Sequence, residues 1–201
     1  MRARSVGVTG GIGSGKSTVA AFLCQGDAVC IDADAVSRGL TAPGGAAMAA
    51  IARAFGANMV DARGGLDRAA MRQLVFSDTA ARQRLEAIVH PLIWQETERL
   101  ALAARGRGAG LLIFDVPLLV EMRRWRTLLD TVVVVDCSPA TQCQRVLARS
   151  GIEPAQTQRI IDAQASRASR LACADHVLLN EGLDLDGLQE QTQGLAEALR
   201  L

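Results

Sequence analysis

The chain has 201 residues, of which 49 % are hydrophobic and 21 % charged, with a net charge of +1. That is enough for one domain with a real hydrophobic interior, in a composition ordinary for a soluble globular protein. The near-neutral charge gives no reason to expect a nucleic acid or an anionic membrane as partner, and no apolar run approaches the roughly 18 residues of a membrane span.

The N-terminus runs straight into "SVGVT" (5–9), a short β-branched run that predicts a strand and shows no signal peptide. Gly10, four residues, then Gly15-Lys16-Ser17 fill the pattern G-x-x-x-x-G-K-[ST], and "KSTVAAFLC" (16–24) predicts a helix stopped by Gly26. Strand, glycine loop and helix in this order make a phosphate cradle. Glycines let the backbone turn several N–H groups inward, and the helix start adds the positive end of its dipole. Lys16 can reach the β- and γ-phosphates of a nucleotide, and the Ser17 hydroxyl can ligate Mg²⁺. Of the 22 basic residues every one but Lys16 is arginine. A coding bias towards arginine accounts for the others; Lys16 stands where a compact charge on a flexible stem is needed and a planar fork would not serve.

"DAVCIDAD" (27–34) predicts a second strand ending in acids, and "GGAAMAAIARAFG" (44–56) a helix stopped by Gly56. Successive helices are predicted over 67–76, 79–89 and 91–104, with Asp67 and Ser77 or Asp78 as caps and Pro91 in a first turn. "GLLIFDV" (110–116) and "TVVVVD" (131–136) are continuous apolar runs, the pattern of strands buried on both faces. A helix over 138–149 starts with a Ser cap and a Pro; another covers 153–164. "HVLLN" (176–180) is the fifth strand, and 185–199 a closing amphipathic helix. The alternation predicts an α/β fold with a five-stranded, mainly parallel sheet and ligands at the carboxyl ends of its strands. Asp32, Asp34, Asp115 and Asp136 would lie on that edge. Residues 37–108, helical and without strands, read as an insertion on the core.

Asp32 and Asp34 are two apart, so on an extended segment they project to one side. One carboxylate could take a proton from an attacking hydroxyl and the other position Mg²⁺ through water. The alternative is that Asp32 ends the strand and Asp34 caps the next helix. Arg145 and Arg149, four apart, share a helix face and suit charge stabilisation in phosphoryl transfer, although exposed helical arginines are commonly just solvated. His90 fits a helix-junction cap as well as it fits a substrate contact. Trp94 and Trp125 read as packing residues. Five cysteines (24, 30, 137, 143, 173) without a C-x-x-C pair predict reduced, mostly buried thiols in a cytoplasmic protein, and the two histidines give no zinc pattern.

"TGGIGSGKST", "IDAD" (31–34), "FGANM" (55–59), "HPLI" (90–93), "VPLLVE" (116–121), "TQCQRVLAR" (141–149) and "ADHVLLNEG" (174–182) occur in an order that resembles the dephospho-coenzyme A kinase family, over roughly residues 5 to 185. The resemblance implies a P-loop nucleoside-triphosphate hydrolase fold. Its core would comprise 1–36, 109–140 and 174–201, with a helical substrate-binding insertion over about 37–108 and a lid over about 141–173. It implies ATP-dependent phosphorylation, with Mg²⁺, of the ribose 3′-hydroxyl of dephospho-coenzyme A, the last step of coenzyme A synthesis. Carried over by position, Gly13, Ser14, Gly15, Lys16, Ser17 and Thr18 hold the ATP phosphates. Asp34 is the base, with Lys16 and Arg145 also catalytic, and Arg149 lies on the lid side with ATP. Asp32, His90, Pro117, Leu118, Leu119 and Glu121 fall near the acceptor, Asp32 serving Mg²⁺ with Ser17.

Two features depart from the family pattern. Asp115 resembles the acid that ends the third strand in many P-loop proteins, but related kinases can have an apolar residue there, so it is not assigned a catalytic role. The loop "MRRWRTLLD" (122–130) is more basic than the family leads one to expect, and either touches acceptor phosphates or is solvated. The rival activity is a P-loop kinase for a nucleoside or sugar, which should lack "IDAD" and "VPLLVE". A guanine-nucleotide switch is excluded more firmly: its Asn/Thr-Lys-x-Asp reader needs a second lysine.

Overall fold

The computed structural model describes residues 3–200, apart from the side chains of Arg123 and Arg200. Its five strands are β1 (Arg4–Gly10), β2 (Ala28–Asp32), β3 (Leu111–Asp115), β4 (Thr131–Asp136) and β5 (His176–Leu179). The helices among the described residues are α1 (Lys16–Leu23), α2 (Ala33–Leu40), α3 (Met48–Phe55), α4 (Arg68–Ser77), α5 (Thr79–Gly106), α6 (Pro139–Ser150), α7 (Pro154–Ala163), α8 (Arg167–Ala172) and α9 (Leu185–Arg200). The chain divides into two compact units, Met1–Asp32 with Ala103–Leu201, and Ala33–Leu102. No described helix is long and apolar enough to cross a membrane.

The first unit holds the sheet. Its order is β2-β3-β1-β4-β5, and every neighbouring pair is parallel. The apolar runs explain the order: β3 and β4 are buried at every residue and flank β1, which is buried from Ser5 onward. Val6, Val8, Ile113, Val133 and Val135 pack with Val19 and Leu23 of α1 and with Leu188 and Leu199 of α9. Each such side chain contributes about 1.5–3 kcal/mol by leaving water. Since β1 lies between β3 and β4 while the chain leaves it for the edge strand β2, the strand order reverses at β1. In open parallel sheets that point, beyond the carboxyl ends, is where ligands bind, and the glycine loop follows β1 there.

The second unit is helical, with one isolated antiparallel bridge between Val60 and Leu66. Its core gathers Ala47, Met48, Ile51, Met59, Met71 and Val89. Asp67 caps α4 by accepting from the Ala69 and Ala70 N–H groups, as the sequence suggests. Asp78, rather than Ser77, caps α5 through the N–H groups of Ala80 and Ala81.

The structure corrects three expectations. The helices predicted over 79–89 and 91–104 are one, α5, of 28 residues with Pro91 inside it. A proline removes a helical hydrogen bond at a cost of about 3 kcal/mol. Here the apolar stripe of Leu85, Ile88, Val89, Leu92 and Ile93 packs on the same core on both sides of Pro91, and that continuous burial holds the helix together. The strand predicted to reach residue 34 stops at Asp32, and α2 begins at once with Ala33.

The third correction concerns the thiols: Cys24 and Cys30 are joined as a disulfide, and only Cys137, Cys143 and Cys173 are free. Cys24 ends α1, the chain turns through Gly26 at φ 70°, and β2 returns so that the two Cα atoms lie 5.5 Å apart. This proximity belongs to the helix-to-strand return and not to any cysteine spacing pattern. Burial raises the Cys137 and Cys173 thiol pKa values, which favours the protonated thiol at both. Thiol titration of the unfolded, unreduced protein is expected to find the three free cysteines, and all five after reduction. Five without reductant would mean that Cys24 and Cys30 are unpaired.

Candidate active site

After β1 the backbone must double back within five residues before α1 begins. Gly13 (φ 73°) and Gly15 (φ 91°) make the turns, in a region that side chains disfavour. Gly10 is needed for closeness instead, since a Cβ there would sit 2.5 Å from the Ser14 Oγ and 2.6 Å from the Val135 carbonyl oxygen. The Ser14 N–H donates to the Gly11 carbonyl (3.1 Å), and the Thr18 and Val19 N–H groups donate to the Gly15 carbonyl. No side chain caps the N-terminus of α1 and no acid lies in its first turn, so the positive end of the helix is open to an anion. Ser17 is exposed there, and the buried Ser14 Oγ has no hydrogen-bond partner.

Lys16 forms an ion pair with Asp115, at the end of β3. Sequence reasoning left Asp115 out of the site; its one signal was its place as the last residue of an apolar strand. Asp115 is 8 % exposed, and in the parallel ladder its Cα partners that of Asp32, which ends β2. Two carboxylates thus stand side by side at adjacent strand ends. With the Ser17 hydroxyl they suit Mg²⁺, which takes one or two carboxylates and completes its octahedron with water and substrate phosphate. No cluster of three or more His, Cys, Asp or Glu side chains suited to an all-protein metal cage occurs among the described residues.

The loop is braced from outside. The Ile12 N–H donates to the Gln164 Oε1 (3.0 Å), while the buried Gln142 donates through Nε2 to the Ile12 carbonyl (2.8 Å). Asn180, just past β5, donates to the Ser14 carbonyl (2.8 Å). Arg145 on α6 donates to that carbonyl at 3.5 Å and to the Asn180 Oδ1 at 3.1 Å. Arg149, one turn on, is exposed and donates to the neighbouring Ser150 hydroxyl (3.4 Å). Of the two arginines, the fold brings only Arg145 to the glycine loop. Ser138 caps α6, and Glu181 accepts from the Ser138 N–H (2.6 Å) and from the Thr141 hydroxyl. At the end of β4, Asp136 accepts from Arg167 through both oxygens, at 2.6 to 3.1 Å.

A family model described as CoaE, dephospho-CoA kinase, matches residues 4–186. The chain belongs to the dephospho-CoA kinase family. It is 51 % identical to the dephospho-CoA kinase of Albidiferax ferrireducens, over 95 % of this chain and 90 % of that one. To that of Bordetella parapertussis it is 58 % identical, over 88 % and 81 %. The solved structure of TT1252 from Thermus thermophilus superposes with a TM-score of 0.81 at 32 % identity, covering 98 % of both chains. As a dephospho-CoA kinase it is an enzyme of the last step of coenzyme A biosynthesis, on a P-loop kinase fold.

The residues expected near the acceptor of a dephospho-CoA kinase fall in different surroundings. The Pro117 carbonyl accepts from the Thr9 hydroxyl (3.3 Å), and Leu118 is 46 % exposed. Leu119 is buried and fills the space beside Gly7, so its side chain serves the core. Glu121 accepts from the Ala165 N–H (2.7 Å). Asp34 and His90 belong to the helical unit, Asp34 exposed in the first turn of α2 and His90 half-buried within α5. Asp32 and Asp34 therefore do not share one side of an extended segment: the first ends a strand and the second lies in a helix. His90 is no helix-junction cap, because no junction exists there. Trp125 is buried against Phe114. In the basic loop, Arg126 pairs with Asp175.

Glu181 is held below the usual carboxylate range, first by the Thr141 hydroxyl and then by the Ser138 N–H. A depressed carboxylate stabilises the fold above its unfolded pKa and loses that contribution as pH falls through its folded value. Glu181→Gln is therefore expected to lower the urea midpoint at pH 7, with the gap to wild type closing below about pH 4. A gap independent of pH would show that the charge of Glu181 is not what anchors α6.

Proposed function

We propose that the chain transfers the γ-phosphoryl group of ATP to the ribose 3′-hydroxyl of dephospho-coenzyme A, with its own residues in the following roles. Gly13, Ser14, Gly15 and Thr18 present the cradle to the phosphates. Lys16 leaves Asp115 for the β- and γ-oxygens when ATP arrives, exchanging one anion for another in the same place. Ser17 and Asp32, with Asp115 beside it, would hold Mg²⁺, which supplies charge neutralisation of the phosphates when bound. Asp34 accepts the proton of the 3′-hydroxyl. Arg145 stabilises charge that spreads over the transferring group, and Arg149 reaches ATP only if α6 moves. His90, Pro117, Leu118, Leu119 and Glu121 serve the acceptor, Leu119 by anchoring its segment through a side chain buried beside Gly7. Residues 37–108 carry acceptor binding and 141–173 act as a lid on the remaining core.

The observation that carries this reading is Lys16, the one lysine of the chain, held by an acid at the mouth of an open anion cradle. Incubation with ATP, Mg²⁺ and dephospho-coenzyme A is expected to yield coenzyme A by mass spectrometry. A folded protein that gives none would overturn the activity. Lys16→Met should cost several kcal/mol of transition-state stabilisation, each ~1.4 kcal/mol being tenfold in rate. Lys16→Arg should also fail, for the guanidinium fork cannot slide between phosphates; near-normal turnover would remove the argument from the single lysine.

Asp34 and Asp32 separate by their response to the metal. Asp34→Asn is expected to lose roughly 10²-fold or more in kcat, the scale of general base catalysis, with ATP affinity little changed. Asp32→Asn should shift the Mg²⁺ concentration needed for half-maximal rate. If Mg²⁺ rescues Asp34→Asn and not Asp32→Asn, the two roles are reversed.

A further inference from the structure

Arg170 on α8 is a buried cation without a carboxylate. Its residue exposure is 5 %. The Nη1 donates to the Ala165 carbonyl, and the buried Nε has no hydrogen-bond partner. Asp136, at the end of β4, accepts through both oxygens from one edge of Arg167, its Nε and Nη2, one turn earlier on the same helix. The Nη2 faces the phosphate loop: it lies 3.0 Å from where a Cβ on Gly11 would be, and the guanidinium carbon lies 3.3 Å from that point. Only a glycine at position 11 leaves the guanidinium this close to the loop, since any side chain would also meet the Gln142 Nε2 at 2.2 Å.

A guanidinium withdrawn from water without a counter-charge is costly, and native proteins retain such groups where something else supplies the anion. Carboxylates pair with Arg167 and with Lys16, yet none pairs with Arg170 among the described residues. We infer that the counter-anion of Arg170 is the ligand: Arg170 binds the polyphosphate of the nucleotide, from the Gly11 side of the loop. Arginine suits this role because its fork can hold two phosphate oxygens while still bonding the Ala165 carbonyl. The inference rests on the glycine loop being the nucleotide site. It adds a phosphate-binding residue from α8 that neither the loop pattern nor the pair on α6 includes.

The test uses the whole protein and inorganic tripolyphosphate, which has the charge of the nucleotide tail and no base or ribose. Isothermal titration should show binding to wild type and its loss in Lys16→Met; no binding to wild type would overturn the reading of the loop itself. Arg170→Met is expected to weaken tripolyphosphate by about 10- to 100-fold, the scale of a lost hydrogen bond to a charged group. The melting temperature of the free variant should stay level or rise, as an unpaired buried charge has been removed. Unchanged tripolyphosphate affinity in Arg170→Met would overturn the inference, whatever the melting temperature does. Should Arg170→Met fail to fold, the wild type decides: the Arg170 Nε–H NMR signal, assigned with Arg170→Lys, should shift on saturation with tripolyphosphate. A signal that stays in place would overturn the inference equally.

Discussion

A loop that binds an anion with its own amides must leave some of those amides turned away from its own carbonyls, and it must do so almost without side chains. Four of the six residues from Gly10 to Gly15 are glycine, so internal bonds such as that from the Ser14 N–H to the Gly11 carbonyl do not suffice to hold the conformation. It is held by neighbours. Gln142 and Gln164 take the two backbone polar groups of Ile12, and Asn180 takes the Ser14 carbonyl. Each of these contacts is a net gain of only about 0.5–1.5 kcal/mol, but each also fixes a peptide plane. The orientation of those planes is what turns the remaining N–H groups towards a ligand. The rest of the first unit is arranged so that these three side chains arrive at the loop.

Charge at the carboxyl edge of the sheet follows from the same arrangement. Three of the five strands, β2, β3 and β4, end in aspartate, at Asp32, Asp115 and Asp136. Asp115 is matched by Lys16 and Asp136 by Arg167. The cations that touch the loop itself, Arg145 and Arg170, instead rest on carbonyl and amide oxygens. A cation held by neutral oxygens is more available to an arriving phosphate than one held by a carboxylate, because nothing charged must be displaced. The edge thus carries one cation, Lys16, that must exchange a carboxylate for the phosphate, and two arginines that need not.

The helical unit shows the other way in which a local rule can be overridden. Pro91 interrupts the hydrogen-bond ladder of α5, and in isolation that is a stop signal. The stripe from Leu85 to Ile93 is buried on both sides of it, and burial of several aliphatic side chains outweighs one missing bond. The result is one helix of 28 residues.

What the sequence determined by itself is whatever depends on neighbours a few positions away. The glycine loop, the strands of continuous apolar residues, the Ser138–Pro139 helix start and the Asp67 cap were all legible, because a turn, a cap or a buried strand is a matter of local backbone and local polarity. The family was legible for a related reason, since its segments recur in order along the chain. What only the tertiary structure decided lies between residues far apart. Lys16 meets Asp115 across 99 positions, and Gln164 meets Ile12 across 152. Cys24 reaches Cys30 through a helix-to-strand return, and Arg145 is set apart from Arg149 although both sit on α6. Glutamine, asparagine and a buried arginine give no local signal of such contacts, even where, as with Gln142 and Asn180, they lie in segments that mark the family. Their role arises only when packing delivers them to a backbone that has no side chains with which to hold itself.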